Sequence, residues 1–177
     1  MKKELMWACG LLDEVSLKKI RDICVKANSD MELSTRFLDF PFHVSYKRSF
    51  YTDEYEKIFP GLKELIKEEG RIACGSVYLQ RIGDMIWLRF EKEDGLKALH
   101  EKVDHYLGKG YGIEIDPFDK TYVPHVTLFR DESEEKLDQM YEKLESQICV
   151  RDVWIERSFI GTKNRENIFF DMKREDK

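Results

Sequence analysis

The chain has 177 residues, of which 42% are apolar and 12% aromatic, so it can bury a core of its own. Its 30 basic and 35 acidic residues give a net charge of −5, which argues against a long non-specific nucleic-acid track and favours a small ligand or a strand end bound locally. The four cysteines are dispersed without a CxxC pair, as in buried thiols of a reducing compartment. We find neither a signal peptide nor a run of about 18 apolar residues, and therefore expect a cytoplasmic protein that binds no membrane.

The first part of the chain predicts alternating strands and helices. Apolar residues run almost unbroken over Leu5–Leu12, which predicts a strand covered on both faces, and Asp13 then introduces helical spacing. After a looser stretch, a strand is predicted over Phe42–Phe50. A helix is predicted over Asp53–Glu69, and Pro60-Gly61 is expected to split it in two.

A β-hairpin and a second set of helices and strands follow. The hairpin strands are predicted over Ile72–Gln80 and Met85–Glu91, with Gly83-Asp84 in the turn. A helix over Asp94–Leu107 is expected to end in the glycine-rich stretch Gly108–Gly112. The remaining predicted elements are a strand with His125, a helix opening at Ser133, and strands near Val153–Ile160 and Asn167–Met172. This order indicates an α+β fold with largely antiparallel sheets and a weak internal two-fold repeat.

One four-residue pattern occurs twice, as His43-Val44-Ser45-Tyr46 and as His125-Val126-Thr127-Leu128. Side chains on a strand alternate between faces, so the histidine and the hydroxyl residue of each motif point the same way. Two such strands across a groove supply two imidazoles that exchange protons and two hydroxyls that bind phosphate oxygens. The repeated pattern therefore predicts phosphodiester chemistry without a metal ion.

The paired motifs resemble those of the two-histidine phosphoesterase superfamily, which includes bacterial 2'-5' RNA ligases and RNA 2',3'-cyclic phosphodiesterases. The resemblance covers nearly the whole chain. It implies one domain, residues 1–177, with two similar lobes whose mostly antiparallel sheets flank a central cleft and whose helices lie on the outer faces. The first motif departs from the family pattern because it has Ser45 where many relatives have threonine, and Tyr46 where a small aliphatic residue is common. Serine keeps the hydroxyl, whereas the tyrosine bears on packing or substrate fit.

The resemblance also implies a reaction. One neutral imidazole of the pair His43 and His125 takes a proton from water as it attacks a 2',3'-cyclic phosphate, and the other, protonated, gives one to the departing ribose oxygen. Ser45 and Thr127 would bind the non-bridging oxygens. The implied substrate is an RNA end or a small nucleotide, the product is a 2'-phosphate, and no metal or cofactor is required. Some family members also join 2'-5' linkages by the reverse route, and the sequence leaves open which histidine is the base.

Five residues near the motifs are candidates for substrate binding. By alternation Lys47 shares the face of the first motif's histidine, where it could meet phosphate or a flanking nucleotide; a solvated lysine is an equal alternative. Phe129 shares the face of the second histidine and could stack on a base, although core packing is favoured. Arg130 points away by the same alternation, which favours a structural role. Tyr46 and Tyr122 are candidate wall residues.

Two other histidines, His100 and His105, lie five positions apart on a predicted helix. Zinc ligands on one helix face are four apart, and no third donor is suitably spaced. We therefore expect both side chains to be exposed and predict no metal site.

Two alternatives to the cyclic phosphodiesterase stay open. The same site could act on 2'-5' oligoadenylates or other signalling nucleotides, which also place a phosphodiester beside a ribose hydroxyl. The cleft could also be a non-catalytic module that binds RNA ends or nucleotides. Intact histidines and hydroxyls in both motifs argue against a pure binding module, since binding alone does not need two proton carriers.

Overall fold

The computed structural model describes residues 3–131 and 133–173, so both ends of the predicted domain, 1 and 177, lie outside the described residues. The strands are β1 (Glu4–Leu12), β2 (His43–Ser45), β3 (Phe50–Thr52), β4 (Ile72–Gly75), β5 (Val77–Ile82), β6 (Met85–Phe90), β7 (Val126–Arg130), β8 (Val153–Thr162) and β9 (Arg165–Asp171). The helices are α1 (Glu14–Asn28), α2 (Arg36–Asp39), α3 (Tyr55–Glu69), α4 (Asp94–Tyr111) and α5 (Glu134–Glu145), with a 3₁₀ turn at Asp119–Thr121. No described helix is both long and apolar enough to cross a bilayer.

The strands form one sheet in the order β4-β8-β1-β2-β7-β6-β5, with β3 added to β1 and β9 added to β8. The pairs are antiparallel, which confirms the predicted α+β class. The motif strands β2 and β7 are neighbours, and in the described chain their register consists of the single pair Val44 and Val126. The sheet therefore has a part of six strands and a part of three, which meet at the two motifs.

The core lies on one face of this sheet. The valines of both motifs, each 1% exposed, belong to a hydrophobic cluster that also contains the apolar faces of the long helices. Representative members are Ile20 of α1, Ile58 of α3, Leu99 of α4 and Leu137 of α5. Because alternate side chains of a strand point to opposite faces, burying the valines turns the histidines and hydroxyls toward the other face.

Side-chain caps begin two helices where the sequence predicts them. The Asp13 carboxylate accepts a hydrogen bond from the Ser16 N–H at 2.9 Å, and the Ser133 hydroxyl accepts one from the Lys136 N–H at 3.3 Å. Each cap satisfies one of the backbone donors left free in a first helical turn. The predicted starts of α1 and α5 are confirmed.

The predicted break at Pro60-Gly61 is wrong, because α3 continues through Pro60 from Tyr55 to Glu69. A proline inside a helix costs about 3 kcal/mol. Burying a large aliphatic side chain returns about 1.5–3 kcal/mol, and Ile58, Leu62 and Ile66 are each 0% exposed. Gly61 serves helix packing instead, since a Cβ there would collide with the Tyr106 hydroxyl oxygen of α4.

Two strands predicted as continuous are each broken. The strand predicted over Phe42–Phe50 contains β2 and the start of β3, which pair with different parts of β1. The strand predicted over Ile72–Gln80 is interrupted after Gly75, whose φ of +70° favours glycine. There the chain leaves β8, the partner of β4, and pairs with β6 as β5. Apolar periodicity continues across both breaks, so it does not reveal the change of partner.

Candidate active site

The two motif strands place their histidines and hydroxyls side by side on the open face of the sheet. Since the motif valines are antiparallel partners, the flanking residues face one another in crossed pairs, His43 opposite Thr127 and Ser45 opposite His125. Side chains in such pairs lie about 5 Å apart at Cβ. His43 and Thr127 also line one cavity of about 490 Å³. Each imidazole thus has its own motif's hydroxyl along the strand and the other motif's hydroxyl across the strand.

Both imidazoles are held by the same backbone contact. His43 Nδ1 lies 3.0 Å from the Pro41 carbonyl oxygen, and His125 Nδ1 lies 2.8 Å from the Val123 carbonyl oxygen. A carbonyl only accepts, so Nδ1 carries the proton in each ring. The Nε2 atom of each ring is left to accept a proton when neutral and to donate one when charged.

Burial lowers the pKa of both His43 and His125 below the ordinary value of 6.5. The charged ring loses hydration in this half-buried site, and the backbone carbonyls offset the loss only in part. The nearby positive charge of Arg89 and the charge of His43 lower the pKa of His125 further. The two imidazoles are therefore close enough for the charge of His43 to lower the pKa of His125. A bound phosphate anion would have the opposite effect and raise both pKa values.

Aromatic rings contact both histidines, in different ways. The His43 ring meets the rings of Phe40 and Phe159 edge to face, with centroids 5.4 and 5.7 Å apart. The His125 ring lies flat on Trp87, with centroids 3.6 Å apart and planes inclined by 13°. Edge contacts restrict the first ring, whereas the indole face attracts the charged form of the second.

The site has an apolar floor on the side of the first motif. Trp7, Cys9 and Leu11 of β1 pack with Phe159 in a small cluster on the open face of the sheet. Cys9 Sγ lies 3.8 Å from Ser45 Oγ. Burial raises the pKa of the Cys9 thiol to about 12, so it stays protonated at neutral pH and is not a nucleophile.

The structure does not place Lys47 at the site. Its side chain is 3% exposed and its ammonium group contacts Asp104 Oδ1 at 2.5 Å and Asp119 Oδ2 at 2.8 Å. The strand β2 ends at Ser45, so the alternation that put Lys47 beside the histidine does not extend to it. Its charge is neutralised by two carboxylates in a buried position, so both alternatives, the contact with phosphate and the solvated lysine, are wrong.

A β-bulge moves Phe129 and Arg130 relative to the prediction. Thr127 pairs with Trp87 while Phe129 pairs with Ile86, so one extra residue lies in β7 and alternation reverses beyond it. Phe129 is 0% exposed, which makes the base-stacking role wrong and core packing right. Arg130 is exposed and donates from Nε to the Asp84 carboxylate at 2.5 Å.

The two tyrosines named as wall residues have structural partners. Tyr46 is 0% exposed, and its hydroxyl hydrogen-bonds Ser158 Oγ at 2.7 Å in the core, so it is not a wall residue. Tyr122 is half-buried, and its hydroxyl donates to the Ser45 carbonyl oxygen at 2.7 Å. It therefore contacts the backbone of the first motif.

His100 and His105 differ in burial. His105 is exposed, as predicted. His100 is only 5% exposed, which makes the other prediction wrong, because its ring lies under Tyr122 with centroids 4.0 Å apart. No group of three or more acidic, histidine or cysteine side chains in residues 3–131 and 133–173 is placed to hold a metal ion.

Sequence reasoning missed Trp87 and Arg89, which reach the site from β6. Trp87 stacks on His125, and its indole N–H is buried without a partner among the described residues. The Arg89 guanidinium donates to Gln80 at 2.5 Å and to Glu93 at 2.5 Å. Both residues sit on the same face of a strand that the sequence predicts, but only the register of β6 against β7 brings that face to His125.

The fold matches solved structures, although no protein-family model and no curated protein matches the sequence. Escherichia coli LigT complexed with 3'-AMP is 13% identical over 98% of this chain and 96% of its own, with a TM-score of 0.58. A crystal structure of a phosphoesterase is 13% identical over 97% of both chains, with a TM-score of 0.60. The protein TT0787 of Thermus thermophilus is 16% identical over 96% of this chain and 95% of its own, with a TM-score of 0.56. At these identities the likeness shows the fold, and it confirms the fold that the two motifs led us to expect.

Proposed function

We propose that this chain is a metal-independent phosphoesterase that opens a 2',3'-cyclic phosphate, at an RNA end or on a small nucleotide, and leaves a 2'-phosphate. The observation that carries the proposal is the crossed pairing of the motifs, with each imidazole opposite the hydroxyl of the other motif. Four groups suited to phosphate then lie on one face of the sheet, two that move protons and two that donate hydrogen bonds. With a 5'-hydroxyl in place of water as the attacking group, the same site would open the cyclic phosphate to a 2'-5' linkage, and the 3'-oxygen would take the proton as it leaves.

The reaction uses the Nε2 atoms of the two rings, to which no residue in 3–131 and 133–173 hydrogen-bonds. One neutral imidazole takes a proton from a water molecule while the water oxygen forms a bond to phosphorus. The other, charged imidazole gives its proton to the ribose 3'-oxygen as the P–O3' bond breaks. Ser45 and Thr127 donate to the non-bridging oxygens, on which charge grows in the transition state. The carbonyls of Pro41 and Val123 keep both rings oriented and favour the charged form of each.

Nucleotide recognition is supported by the aromatic surroundings and by the structural neighbours. Phe40, which is 37% exposed, lies beside His43, and the half-buried Trp87 lies beside His125, so a base or sugar can pack on an apolar surface at either side of the phosphate. Escherichia coli LigT has been crystallised with 3'-AMP, with NADP+ and with ATP. We infer that this chain also takes a nucleotide, with its phosphate between the histidines.

The test is a substrate panel. The protein is incubated with EDTA and each of the four nucleoside 2',3'-cyclic monophosphates, and the products are separated by chromatography. We expect release of the 2'-phosphate, and its loss in His43→Ala and in His125→Ala. A requirement for an added divalent metal, or equal activity in either variant, would contradict the mechanism.

A second candidate substrate is favoured by the aromatic contacts on both sides of the pair. A 2'-5' linked oligoadenylate or another signalling nucleotide carries a group on each side of its phosphodiester, whereas a cyclic monophosphate carries one nucleoside. The panel therefore includes 2'-5' linked dinucleotides and an RNA ending in a cyclic phosphate. Tight binding of these compounds with no turnover of any would instead indicate a binding module.

A further inference from the structure

The strand pairing alone does not explain how the two histidines are held together. The motif strands share one residue pair, Val44 with Val126, in the described chain, and β2 is only three residues long. A single pair constrains the angle between the two strands less than a longer ladder does. Catalysis by two groups on one phosphorus needs their separation held to within about 0.5 Å, so other contacts must supply the constraint.

Those contacts join the residues after the first motif to the residues before the second. Lys47 Nζ lies 2.8 Å from Asp119 Oδ2, and the Arg48 N–H donates to Asp119 Oδ1 at 3.1 Å. The Tyr122 hydroxyl donates to the Ser45 carbonyl oxygen at 2.7 Å. Three bonds therefore tie residues 45–48 to residues 119–122, directly beside the one pair that the sheet provides.

Helix α4 contacts both segments through two side chains. His100 Nδ1 lies 2.7 Å from the Tyr46 carbonyl oxygen, and its Nε2 lies 3.1 Å from the Asp119 carbonyl oxygen. Asp104 accepts from Lys47 Nζ at 2.5 Å. The His100 ring therefore lies between the carbonyl oxygen of the first motif and that of the 3₁₀ turn.

We propose that Lys47, His100, Asp104, Asp119 and Tyr122 form a motif clamp that positions the two histidines for the reaction. The clamp serves the phosphoesterase reaction, so this inference rests on the proposed function. Burial fixes the geometry of the clamp, because buried charges are tolerated only where their partners are correctly placed. Lys47 is 3%, His100 5% and Asp119 6% exposed. These five are positioning residues, since they act through the backbone of the motifs.

Tyr122 connects the clamp to His125 most directly. The next residue, Val123, supplies the carbonyl oxygen that holds His125 Nδ1 at 2.8 Å. Releasing the Tyr122 hydroxyl from Ser45 frees that peptide, and His125 then loses the contact that selects its tautomer. A displacement of about 1 Å at a reacting group costs about a hundredfold in rate.

The test compares Tyr122→Phe with Tyr106→Phe. Each variant removes one hydroxyl that donates to a backbone carbonyl, and the Tyr106 hydroxyl donates to Ile58 at 3.1 Å between α3 and α4, outside the site. Histidine ¹⁵N chemical shifts report the tautomer of His125 without any substrate. We expect a single Nδ1–H tautomer in the wild type and in Tyr106→Phe, and mixed tautomers in Tyr122→Phe. We also expect kcat to fall about tenfold in Tyr122→Phe with KM changed less than about threefold.

Asp119→Asn is the second variant, since it weakens the bond to Lys47 and keeps the size of the side chain. If it folds, it should mix the tautomers of His125 as Tyr122→Phe does; if it does not fold, Tyr122→Phe still decides. An unchanged tautomer and kcat in a folded Tyr122→Phe protein would overturn the clamp. A wild type that turns over nothing while Tyr122→Phe mixes the tautomers would refute the proposed function and leave the clamp standing.

Discussion

Trp87 lies flat against His125 at 3.6 Å between ring centroids, whereas His43 meets only ring edges. The two motifs are otherwise alike, since each imidazole donates from Nδ1 to the carbonyl two positions earlier. The indole face attracts a cation by about 0.5–2 kcal/mol. The pair is therefore symmetric in hydrogen bonding and asymmetric in its preference for charge, which matters for a reaction that needs one charged and one neutral ring.

The pKa directions predict the pH dependence. The active free enzyme carries one proton on the pair, and its population is greatest between the two pKa values, both of which lie below 6.5. Raising the pH above 6.5 removes the acid, so kcat/KM should fall about tenfold per pH unit; lowering it below both values protonates the base, and kcat/KM should fall again. Initial rates from about pH 4.5 to 8.5 measure the profile. A kcat/KM that rises steadily from about pH 6.5 to 8.5 would refute the assignment.

Bound substrate should move that profile. A phosphate anion between the rings raises both pKa values, so the optimum of kcat should lie at a higher pH than the optimum of kcat/KM. The same data set gives both profiles. Coincident optima would mean that phosphate does not lie beside the histidines.

The Trp87 stack stabilises charged His125 against the nearby charge of Arg89, which lowers its pKa, and from this stack we predict that His125 is the acid. Trp87→Leu removes the indole face, so the charged form of His125 is less stable and its pKa should fall. The rate on a cyclic phosphate should fall with it. A substrate whose leaving group is 4-nitrophenolate needs no proton, so His125→Ala should retain far more activity on it than His43→Ala does. The reverse ranking would make His43 the acid.

Removing either motif hydroxyl should weaken binding of the transition state. Ser45→Ala and Thr127→Ala should each lower kcat by about a hundredfold to a thousandfold, as removal of one donor to a growing negative charge does in other enzymes. Ser45→Thr is the matched control, because it keeps the hydroxyl and matches the threonine of the second motif. Steady-state kinetics at the pH optimum measure all three, and a KM effect without a kcat effect would assign the hydroxyls to ground-state binding.

Alternation along a strand is sufficient to predict the four central residues of the site. It needs no tertiary information, and it holds wherever a strand is regular, as it is around Val44 and Val126. The α+β class follows from element order in the same way. What alternation lacks is any signal of where a strand stops or bulges.

The wrong predictions of side-chain direction occur where a strand ends or bulges. Lys47 lies beyond the end of β2, and Phe129 lies beyond the extra residue of β7, so each turns away from the face that counting assigns to it. The roles of Trp87 and His100 escape prediction for another reason. They depend on which strand neighbours β7 and on what covers α4, and these are long-range contacts that local periodicity does not encode.

Lys47 and Arg130 give a test that separates burial from substrate contact, because the sequence makes both candidates for binding. Lys47→Met leaves two carboxylates without their cation in a buried site, so we expect a loss of about 3–5 kcal/mol in the free energy of unfolding. Arg130→Met removes an exposed ion pair and should leave the urea midpoint nearly unchanged. Both variants should bind nucleotide with an unchanged KM at a temperature where they are folded. A Lys47→Met protein of normal stability with a raised KM would show that this lysine reaches the phosphate, and would restore the role that its buried ion pair rules out.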